Sequence, residues 1–284
     1  MTEPASPRLC RVRDLSIGPG RPLAIIAGPC MLESLELGLE VAKTLAPICA
    51  DLGLPCIFKA SFDKANRSSI NSPRGPGLER GLAWLNAISD KTGLPTTTDL
   101  HEPAQAAAIA ESIDLIQIPA FLCRQTDLLV AAGEAAAANG RAVNVKKGQF
   151  LSPREMTGPV RKLAEAGCDN TLLTDRGTFF GYHRLVNDFT GLGELLELDA
   201  PGGTPPLCFD CTHSTQTPGT GEQTGGMRRF APLLARAAVA AGVHAIFVEA
   251  HPDPGSAMSD GATQMPLSEM RPLLESLAAI AAVR

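Results

Sequence analysis

Eight short runs of apolar, β-forming residues recur along this chain of 284 residues, and amphipathic helical patterns lie between most of them. Nearly continuous apolar runs predict strands that are buried on both faces, as in a parallel sheet covered by helices. Eight strand–helix units fit the α/β class and a (β/α)8 TIM barrel, and a doubly wound open sheet is the alternative. The predicted strands are 23–28, 55–60, 94–99, 113–119, 142–147, 170–175, 205–210 and 244–250.

The remaining segments support a barrel that forms a single unit. Residues 8–18 alternate partly between apolar and polar types, which predicts a short strand or hairpin that plugs the bottom of the barrel. An apolar content of 44% is enough for one large core, so we expect a single domain over residues 1–284. The first strand is not followed by G-x-G-x-x-G, which argues against dinucleotide binding. The clearest helical patterns cover 33–51, 102–111, 125–139, 153–167 and 226–241.

The composition argues against several classes of partner and location. A net charge of −5 argues against general binding to nucleic acid or to an anionic membrane. There is no run of 18 apolar residues and the N-terminal segment does not resemble a secretory signal, so we expect a cytoplasmic protein. Eight cysteines in a chain of this length do not predict disulfides. Cys208 and Cys211 are spaced as C-x-x-C, but strand alternation points them to opposite faces, so a shared metal is not expected.

Polar or reactive side chains stand at the carboxyl end of every predicted strand. In a TIM barrel this end carries the active site. Any one of these residues alone is compatible with a satisfied structural role, but burying so many unpaired polar groups would cost several kcal/mol each. The set therefore predicts one network around a ligand. Its members are Cys30, Lys59, Asp99, Gln117, Lys146, Lys147, Asp175, Arg176, Asp210, His213, Glu249 and His251.

Basic residues in this set predict that the ligand is anionic. The segment 64–69, with the sequence KANRSS, combines lysine, asparagine, arginine and two serines, which are good donors to a phosphate. The alternative for this segment is an ordinary solvated loop. Basic groups from several separate strand ends indicate more than one phosphate or carboxylate. They are Lys59, Lys64, Arg67, Lys146 and Arg176.

A second group of residues is compatible with a metal site. Cys30, His213, Glu249 and Asp260 follow strands one, seven and eight, which are neighbours in a closed barrel, and a mixed S, N and O set suits Zn²⁺ or Fe²⁺ better than Mg²⁺. Spacing alone leaves alternatives open. Cys30 could also be core filler or a nucleophile, and His213 a core histidine. Competing donors are His101, His251 and Cys211, the last of which alternation places on the same face as His213.

Sequence blocks over almost the whole chain resemble 3-deoxy-D-manno-octulosonate 8-phosphate synthases. The blocks occur in the same order and include AGPCMLES, FKASFDKANRSSINSPRGPG, TDLHEP, QIPAFLCRQTDLL, VNVKKGQFLSP, DRGTFFGY, FDCTHSTQ and EAHPDPGSAMSDGATQMPL. The related 3-deoxy-D-arabino-heptulosonate 7-phosphate synthases share the barrel and the basic phosphoenolpyruvate site. Their segment after strand two resembles KPRTS, whereas this chain has KANRSS, which favours the octulosonate enzyme.

The resemblance implies a reaction and a role for each matched residue. Phosphoenolpyruvate and D-arabinose 5-phosphate condense with water, and inorganic phosphate leaves. Arg124 would reach the sugar phosphate of a neighbouring subunit in a homotetramer, and residues 217–230 would form a loop that closes over the site. The phosphoenolpyruvate-binding residues implied are Lys59, Lys64, Lys146, Arg176 and Gln117, those for the sugar phosphate are Asn66, Arg67 and Ser68, and Asp99 is placed with the substrate-binding set.

The resemblance also implies a divalent metal. Relatives of the metal-independent branch carry asparagine where this chain has Cys30, and those of the metal-dependent branch carry cysteine together with His213, Glu249 and Asp260. Zn, Fe, Mn and Cd are all compatible with this set, and the metal would polarise the aldehyde or lower the pKa of a bound water. Cys30, Lys64, His213 and Asp260 are then the expected catalytic residues. The alternatives are a heptulosonate synthase acting on erythrose 4-phosphate and an inactive barrel that serves as a binding protein.

Overall fold

The computed structural model describes residues 6–65, 70–179, 183–218 and 225–284. Eight parallel strands pair with their neighbours in chain order, and the last two also pair with each other, as Cys208 with Ala245 and Asp210 with Phe247, so that the sheet closes into a barrel. A doubly wound open sheet is therefore excluded. The strands are Ala24–Gly28 (β1), Cys56–Lys59 (β2), Thr96–Asp99 (β3), Leu115–Ile118 (β4), Ala142–Lys146 (β5), Thr171–Asp175 (β6), Leu207–Asp210 (β7) and Ala245–His251 (β8).

A helix follows each strand and covers the outside of the barrel. Several end at a glycine in the left-handed region, which is a common stop for a helix; Gly93 has a φ of 73° and Gly242 a φ of 104°. None of the helices among the described residues is both long and apolar enough to cross a bilayer. The helices are Leu35–Asp51 (α1), Leu78–Thr92 (α2), Ala106–Ser112 (α3), Thr126–Asn139 (α4), Thr157–Glu165 (α5), Phe189–Leu196 (α6), Ala231–Ala241 (α7) and Met270–Ala281 (α8).

Short strands and 3-10 helices lie outside the eight strand–helix units of the barrel. The strands Cys10–Val12 and Leu15–Ile17 form an antiparallel hairpin, which confirms the predicted N-terminal extension. Other two-residue strands are Thr178–Phe179 with Leu185–Val186, Gln216–Thr217 with Gly225–Gly226, and Met265–Pro266 beside β8. The 3-10 helices are Pro103–Gln105, Ala120–Leu122, Pro153–Met156, His213–Thr215, Arg228–Phe230 and Leu267–Glu269.

Strand alternation separates the core into two layers. Ile25 and Ala27 of β1 face the helices, whereas Ala24 and Ile26 face the barrel interior. The side chains of Cys10, Val12 and Ile17 from the hairpin belong to the same buried cluster as these interior residues. The hairpin therefore plugs the amino end of the barrel, as predicted. The other interior members are Ile57, Leu115, Ala142, Leu172, Cys208, Ala245 and Phe247.

The cysteines follow the same two layers. All eight lie in the described part of the chain, and each is buried and free. Cys208 lies inside the barrel, whereas Cys211 packs in the layer between sheet and helices, so the two point to opposite faces. The prediction that Cys211 shares a face with His213 is wrong. β7 ends at Asp210 and a 3-10 turn begins at His213, so strand alternation does not continue between them.

Candidate active site

A cavity of about 640 Å³ lies at the carboxyl ends of the strands. Alternation explains why polar side chains line it. In β2, Ile57 faces the barrel interior near the bottom, so Lys59, two positions further on, faces the interior at the top. The same holds for Gln117 after Leu115. The predicted residues that line the cavity are Lys59, Lys64, Asp99, Gln117, Lys146, Arg176, His213 and Asp260.

The break after β1 places Cys30 beneath this cavity. A side chain at Gly28 would collide with the carbonyl oxygen of Lys59, so the close approach of β1 to β2 requires glycine there. The backbone N–H of Cys30 donates to Gln264 Oε1 at 3.0 Å, and the amide of Gln264 donates to the carbonyl oxygen of Ser259 at 2.8 Å. Gln264 thus holds Cys30 close to the loop that carries Asp260.

Three predicted ligand side chains form a compact cluster. One ligand atom each from Cys30, His213 and Asp260 lies within 4.8 Å of the others, and Cys30 Sγ is 3.2 Å from Asp260 Oδ2. Asp260 has a φ of 49°, an uncommon left-handed conformation for a residue other than glycine, and such strain is found most often at functional sites. A thiol, an imidazole and a carboxylate together form a donor set that suits a divalent transition metal.

Glu249 lies beside this cluster and is shared with a lysine. One carboxylate oxygen accepts a short hydrogen bond from the ammonium of Lys59, which also donates to the carbonyl oxygen of Cys30 at 3.0 Å. The other oxygen, Oε2, is buried without a hydrogen-bond partner and lies 3.4 Å from Nε2 of His213. An unpartnered buried carboxylate oxygen next to three ligand atoms fits a cation at this position. The residues present therefore fit a divalent metal.

Asp210 connects the cluster to the cationic side of the cavity. Its Oδ2 is 2.6 Å from Lys146 Nζ and 2.6 Å from His213 Nδ1. Burial opposes ionisation of this carboxyl, but His213 and Lys146 outweigh burial and hold its pKa well below the usual range. Lys146 Nζ also lies 3.6 Å from the centroid of the Phe247 ring. Asp210, which the sequence places in the strand-end network without a specific role, is accordingly a charged group inside the barrel.

A hydrogen-bonded chain of polar groups continues across strands β3 to β6. The hydroxyl of Thr174 donates to Asn144 Oδ1 at 2.7 Å, Asn144 donates to Gln117 Oε1 at 3.3 Å, and Gln117 donates to Asp99 Oδ1 at 2.6 Å. The hydroxyl of Ser61 donates to the other oxygen of Asp99. Every member of this chain is buried, so the orientations of Gln117 and Asp99 are fixed before any ligand arrives.

The charges of the cavity strongly shift its titrating groups. Burial alone would lower the pKa of Lys64, but nearby carboxylates, Glu249 and Asp99 among them, outweigh burial and raise it. Burial likewise opposes ionisation of Asp260, yet His213 and Lys64 lower its pKa to about 2. The thiol of Cys30 has a raised pKa, because burial and the charge of Glu249 both disfavour the thiolate. Bound cations favour a thiolate, so this thiol suits ligation better than free nucleophilic attack.

Arg176 and Gln216 complete the rim of the cavity. The guanidinium of Arg176 donates to the carbonyl oxygen of His213 at 3.1 Å and to the side chain of Gln216. Gln216 donates in turn to Asp260 Oδ1 at 2.9 Å. Gln216 and Gln264 were not predicted as site residues. They lie inside the matched blocks FDCTHSTQ and EAHPDPGSAMSDGATQMPL, but uncharged amides carry no ligand pattern that spacing could reveal.

Some predicted residues lie away from the cavity or outside the described residues. Arg124 is exposed between β4 and α4 and does not line the cavity of its own chain. Asn66, Arg67 and Ser68 fall in 66–69, and residues 219–224 of the expected closing loop are likewise outside the described part. Among the competing metal donors, Cys211 donates its thiol to the carbonyl oxygen of Phe247, at 3.4 Å, and belongs to the outer layer.

A closed parallel barrel whose cavity is lined by lysine, carboxylate and imidazole groups at the strand ends has the architecture of a TIM-barrel enzyme. The chain belongs to the DAHP synthetase I family, whose model matches residues 4–281. Curated relatives support this placement, and three of them share the name 2-dehydro-3-deoxyphosphooctonate aldolase. The relative from a Cyanothece species is 52% identical over 268 residues, which cover 94% of this chain and 95% of the relative.

The two other relatives match over similarly long regions. The protein of Syntrophotalea carbinolica is 48% identical over 278 residues, covering 98% of this chain and 97% of the relative. The protein of Nitratidesulfovibrio vulgaris is 52% identical over 257 residues, covering 90% of this chain and 91% of the relative. The similarity therefore extends over nearly the whole length of the chain.

Proposed function

We propose that the protein is a metal-dependent 3-deoxy-D-manno-octulosonate 8-phosphate synthase, which condenses phosphoenolpyruvate with D-arabinose 5-phosphate and water. The observation that carries the proposal is one cavity in which several cationic side chains lie beside the cluster of Cys30, His213 and Asp260. The relatives are named for 2-dehydro-3-deoxyphosphooctonate, an eight-carbon keto acid phosphate that matches this product. The same name favours it over the heptulosonate alternative.

The cationic groups would bring two mutually repelling phosphorylated substrates together. Lys59, Lys64, Lys146 and Arg176 come from strands β2, β5 and β6 or the segments after them, so they surround a ligand from several directions. Each is already fixed by protein partners, which limits the reorganisation that binding requires. Held in this way, C3 of phosphoenolpyruvate would lie near the aldehyde carbon, water would add at C2, and phosphate would leave.

Cys30, His213 and Asp260 would hold the divalent metal, with Glu249 as the fourth ligand. When bound, such an ion would polarise the aldehyde oxygen or lower the pKa of a water molecule. Its charge would also offset the carboxylates of Asp260 and Glu249. The lysine charges that now face these carboxylates would then remain for the substrates. Zn, Fe, Mn and Cd are all suited to the donor set.

The remaining assignments concern the sugar phosphate and the assembly. Asn66, Arg67 and Ser68 are proposed to bind the phosphate of arabinose 5-phosphate, and Asp99 to stay with the substrate-binding set. Arg124 is proposed to reach the same phosphate in a neighbouring subunit. Three phenylalanines in the segments that follow β4, β5 and β6 are more than half exposed, which favours a covering partner: Phe121, Phe150 and Phe179. A homotetramer, a single domain and a cytoplasmic location remain predictions.

A comparison of aldehydes tests the function directly. The protein should release phosphate from phosphoenolpyruvate with arabinose 5-phosphate at least about 100-fold faster, in kcat/KM, than with erythrose 4-phosphate. The product should be an eight-carbon keto acid phosphate by mass spectrometry. Faster turnover of erythrose 4-phosphate would establish the heptulosonate alternative. No turnover with either aldehyde, in protein loaded with metal, would favour the binding-protein alternative.

A mixing experiment tests the proposed role of Arg124. Arg124→Ala and Arg176→Ala should each lose most activity as homo-oligomers. If Arg124 serves a neighbouring subunit, unfolding and refolding the two variants together should restore part of the activity, because some sites in the mixed oligomers then contain both arginines. Arg154→Ala, which changes an exposed arginine, is the control for surface charge. A monomer by light scattering, or activity that mixing never restores, would contradict a shared site.

A further inference from the structure

Asp210 uses both carboxylate oxygens inside the site. Its Oδ2 faces Lys146 Nζ and His213 Nδ1, each at 2.6 Å. Its Oδ1 accepts from the backbone N–H of His213 at 2.9 Å and from the hydroxyl of Thr212 at 3.2 Å. The side chain is completely buried, at 0% exposure. Four contacts from three residues and two elements therefore fix its position.

This arrangement decides which ring nitrogen of His213 is available. An ionised carboxylate can only accept hydrogen bonds, so Nδ1 carries a hydrogen, and in the neutral ring that metal binding requires the lone pair is on Nε2. Nε2 lies 3.4 Å from the unpartnered Oε2 of Glu249, on the side of the metal cluster. Metal-binding histidines commonly donate their other ring N–H to a carboxylate, which orients the ring and increases its basicity.

We propose that Asp210 is a positioning residue that presents His213 Nε2 to the metal and couples this histidine to Lys146. The coupling arises because both partners compete for one oxygen. While Lys146 donates to Oδ2, the carboxylate offers less negative charge to His213. When an anion takes Lys146 as its partner, the hydrogen bond to His213 strengthens and Nε2 becomes the better ligand. Binding of the anion and of the metal should therefore be cooperative, by the same factor in both directions.

The first experiment needs no substrate and does not depend on the proposed function. The affinity for Zn²⁺ is measured by competition with a chromophoric chelator for wild-type protein and for Asp210→Asn. We expect binding that is about 10- to 100-fold weaker in the variant. Asp175→Asn is the matched control, because Asp175 is also a buried last residue of a strand that pairs with a lysine, Lys147, at 3.3 Å. Equal losses in both variants, or no loss in Asp210→Asn, would overturn the proposal.

A second set of variants covers the case in which Asp210→Asn does not fold. Lys146→Met removes the competitor for Oδ2 and should tighten Zn²⁺ binding. Loss of any nearby positive charge would also tighten Zn²⁺ binding. The control for this effect is Lys59→Met, because Lys59 lies beside the cluster but does not contact Asp210. Where Asp210→Asn folds, Lys146→Met should have less effect in that background than in wild type. An undiminished effect would overturn the shared-oxygen coupling.

The third arm adds phosphoenolpyruvate and rests on the proposed function. The anion should tighten Zn²⁺ binding to wild-type protein by about 5-fold or more, a typical allosteric coupling. The tightening should be largely lost in Asp210→Asn and kept in Asp175→Asn. Failure of phosphoenolpyruvate to bind at all would count against the function, whereas the chelator result alone decides the role of Asp210 toward His213. Equal tightening in all three proteins would overturn the coupling.

Discussion

The two ends of the barrel are built from the same eight strands but have opposite chemistry. At the amino end the inward-facing side chains are apolar, among them Ala24, Ile57, Leu115 and Ala245, and the hairpin covers them. One or two inward positions further along, the side chains are charged or polar. These include Lys59, Gln117, Lys146, Asp210 and Glu249, all buried.

Stability and chemistry therefore occupy different layers of one barrel. Apolar burial at the amino end contributes roughly 25 cal/mol per Å² and tolerates no charge without large cost. At the carboxyl end several buried charges face an opposite charge, as in Lys59 with Glu249 and Lys146 with Asp210. Buried ion pairs are weak evidence for stability, so this end is explained by its function.

The largest expected effect is on activity at the carboxyl end. Lys146→Met should lower kcat/KM for phosphate release by roughly 1000-fold, because a preorganised charge that stabilises the transition state is lost. The midpoint of thermal unfolding should change little, since Asp210 keeps His213 and Thr212 as partners. Lys43→Met, on an exposed position of α1, is the control and should retain activity. Full activity of Lys146→Met would remove this lysine from the site.

The next effect is on stability at the amino end. Ile17→Ala should lower the free energy of unfolding by about 2–5 kcal/mol, because the fully buried hairpin side chain leaves a cavity. The kcat of the folded variant should stay within about twofold of wild type. Urea unfolding and steady-state kinetics measure the two quantities. Leu233→Ala, at an exposed position, should change neither. A large loss of kcat in folded Ile17→Ala would break the separation between the two ends.

A smaller effect concerns pH and the amino end. Burial, helped by Arg284, lowers the pKa of His244 from 6.5 to about 4, and its Nδ1 accepts the backbone N–H of Leu207 at 3.0 Å. Because the unfolded chain binds the proton first, stability should be intact above pH 6.5 and fall as the pH drops toward 4. The shift corresponds to roughly 3 kcal/mol, or about 2 kcal/mol after discounting partial solvent exposure.

The variant His244→Gln isolates this contribution. Glutamine can accept the same hydrogen bond but does not titrate, so urea unfolding of the variant should lose less stability between pH 7 and pH 4 than wild type does. The carboxylates titrate in both proteins, so their contributions cancel when the two losses of stability are compared. Identical losses in the two proteins would show that His244 is not held neutral by the fold.

The smallest effect concerns the amide that joins the two sides of the metal cluster. Gln264→Ala removes the hydrogen bonds to Cys30 and Ser259, which are worth about 1 kcal/mol each. Zn²⁺ affinity should fall by roughly 5- to 10-fold in a chelator competition. Gln125→Ala, on the exposed surface, should match wild type. An unchanged affinity in Gln264→Ala would show that the Asp260 loop holds its position without this bridge.

The sequence predicts the barrel well because its pattern is local. Each predicted strand is present with its ends within two residues, since apolar runs and glycine stops such as Gly93 are read from neighbouring residues. The site residues at strand ends could be predicted for the same reason. Pairings such as Lys59 with Glu249 could not, because they join residues 190 positions apart and depend on closure of the barrel. The error at Cys211 arose where a strand passes into a turn.

The requirement for a metal is the property that depends on all four proposed ligands together. Protein stripped by prolonged chelation should release no phosphate from phosphoenolpyruvate and arabinose 5-phosphate, and Zn²⁺, Mn²⁺, Fe²⁺ or Cd²⁺ should restore release in proportion to the metal bound. Elemental analysis of the same samples gives that proportion, which should approach one ion per chain. Undiminished phosphate release by protein shown to contain no metal would contradict the account of Cys30, His213, Glu249 and Asp260 as ligands.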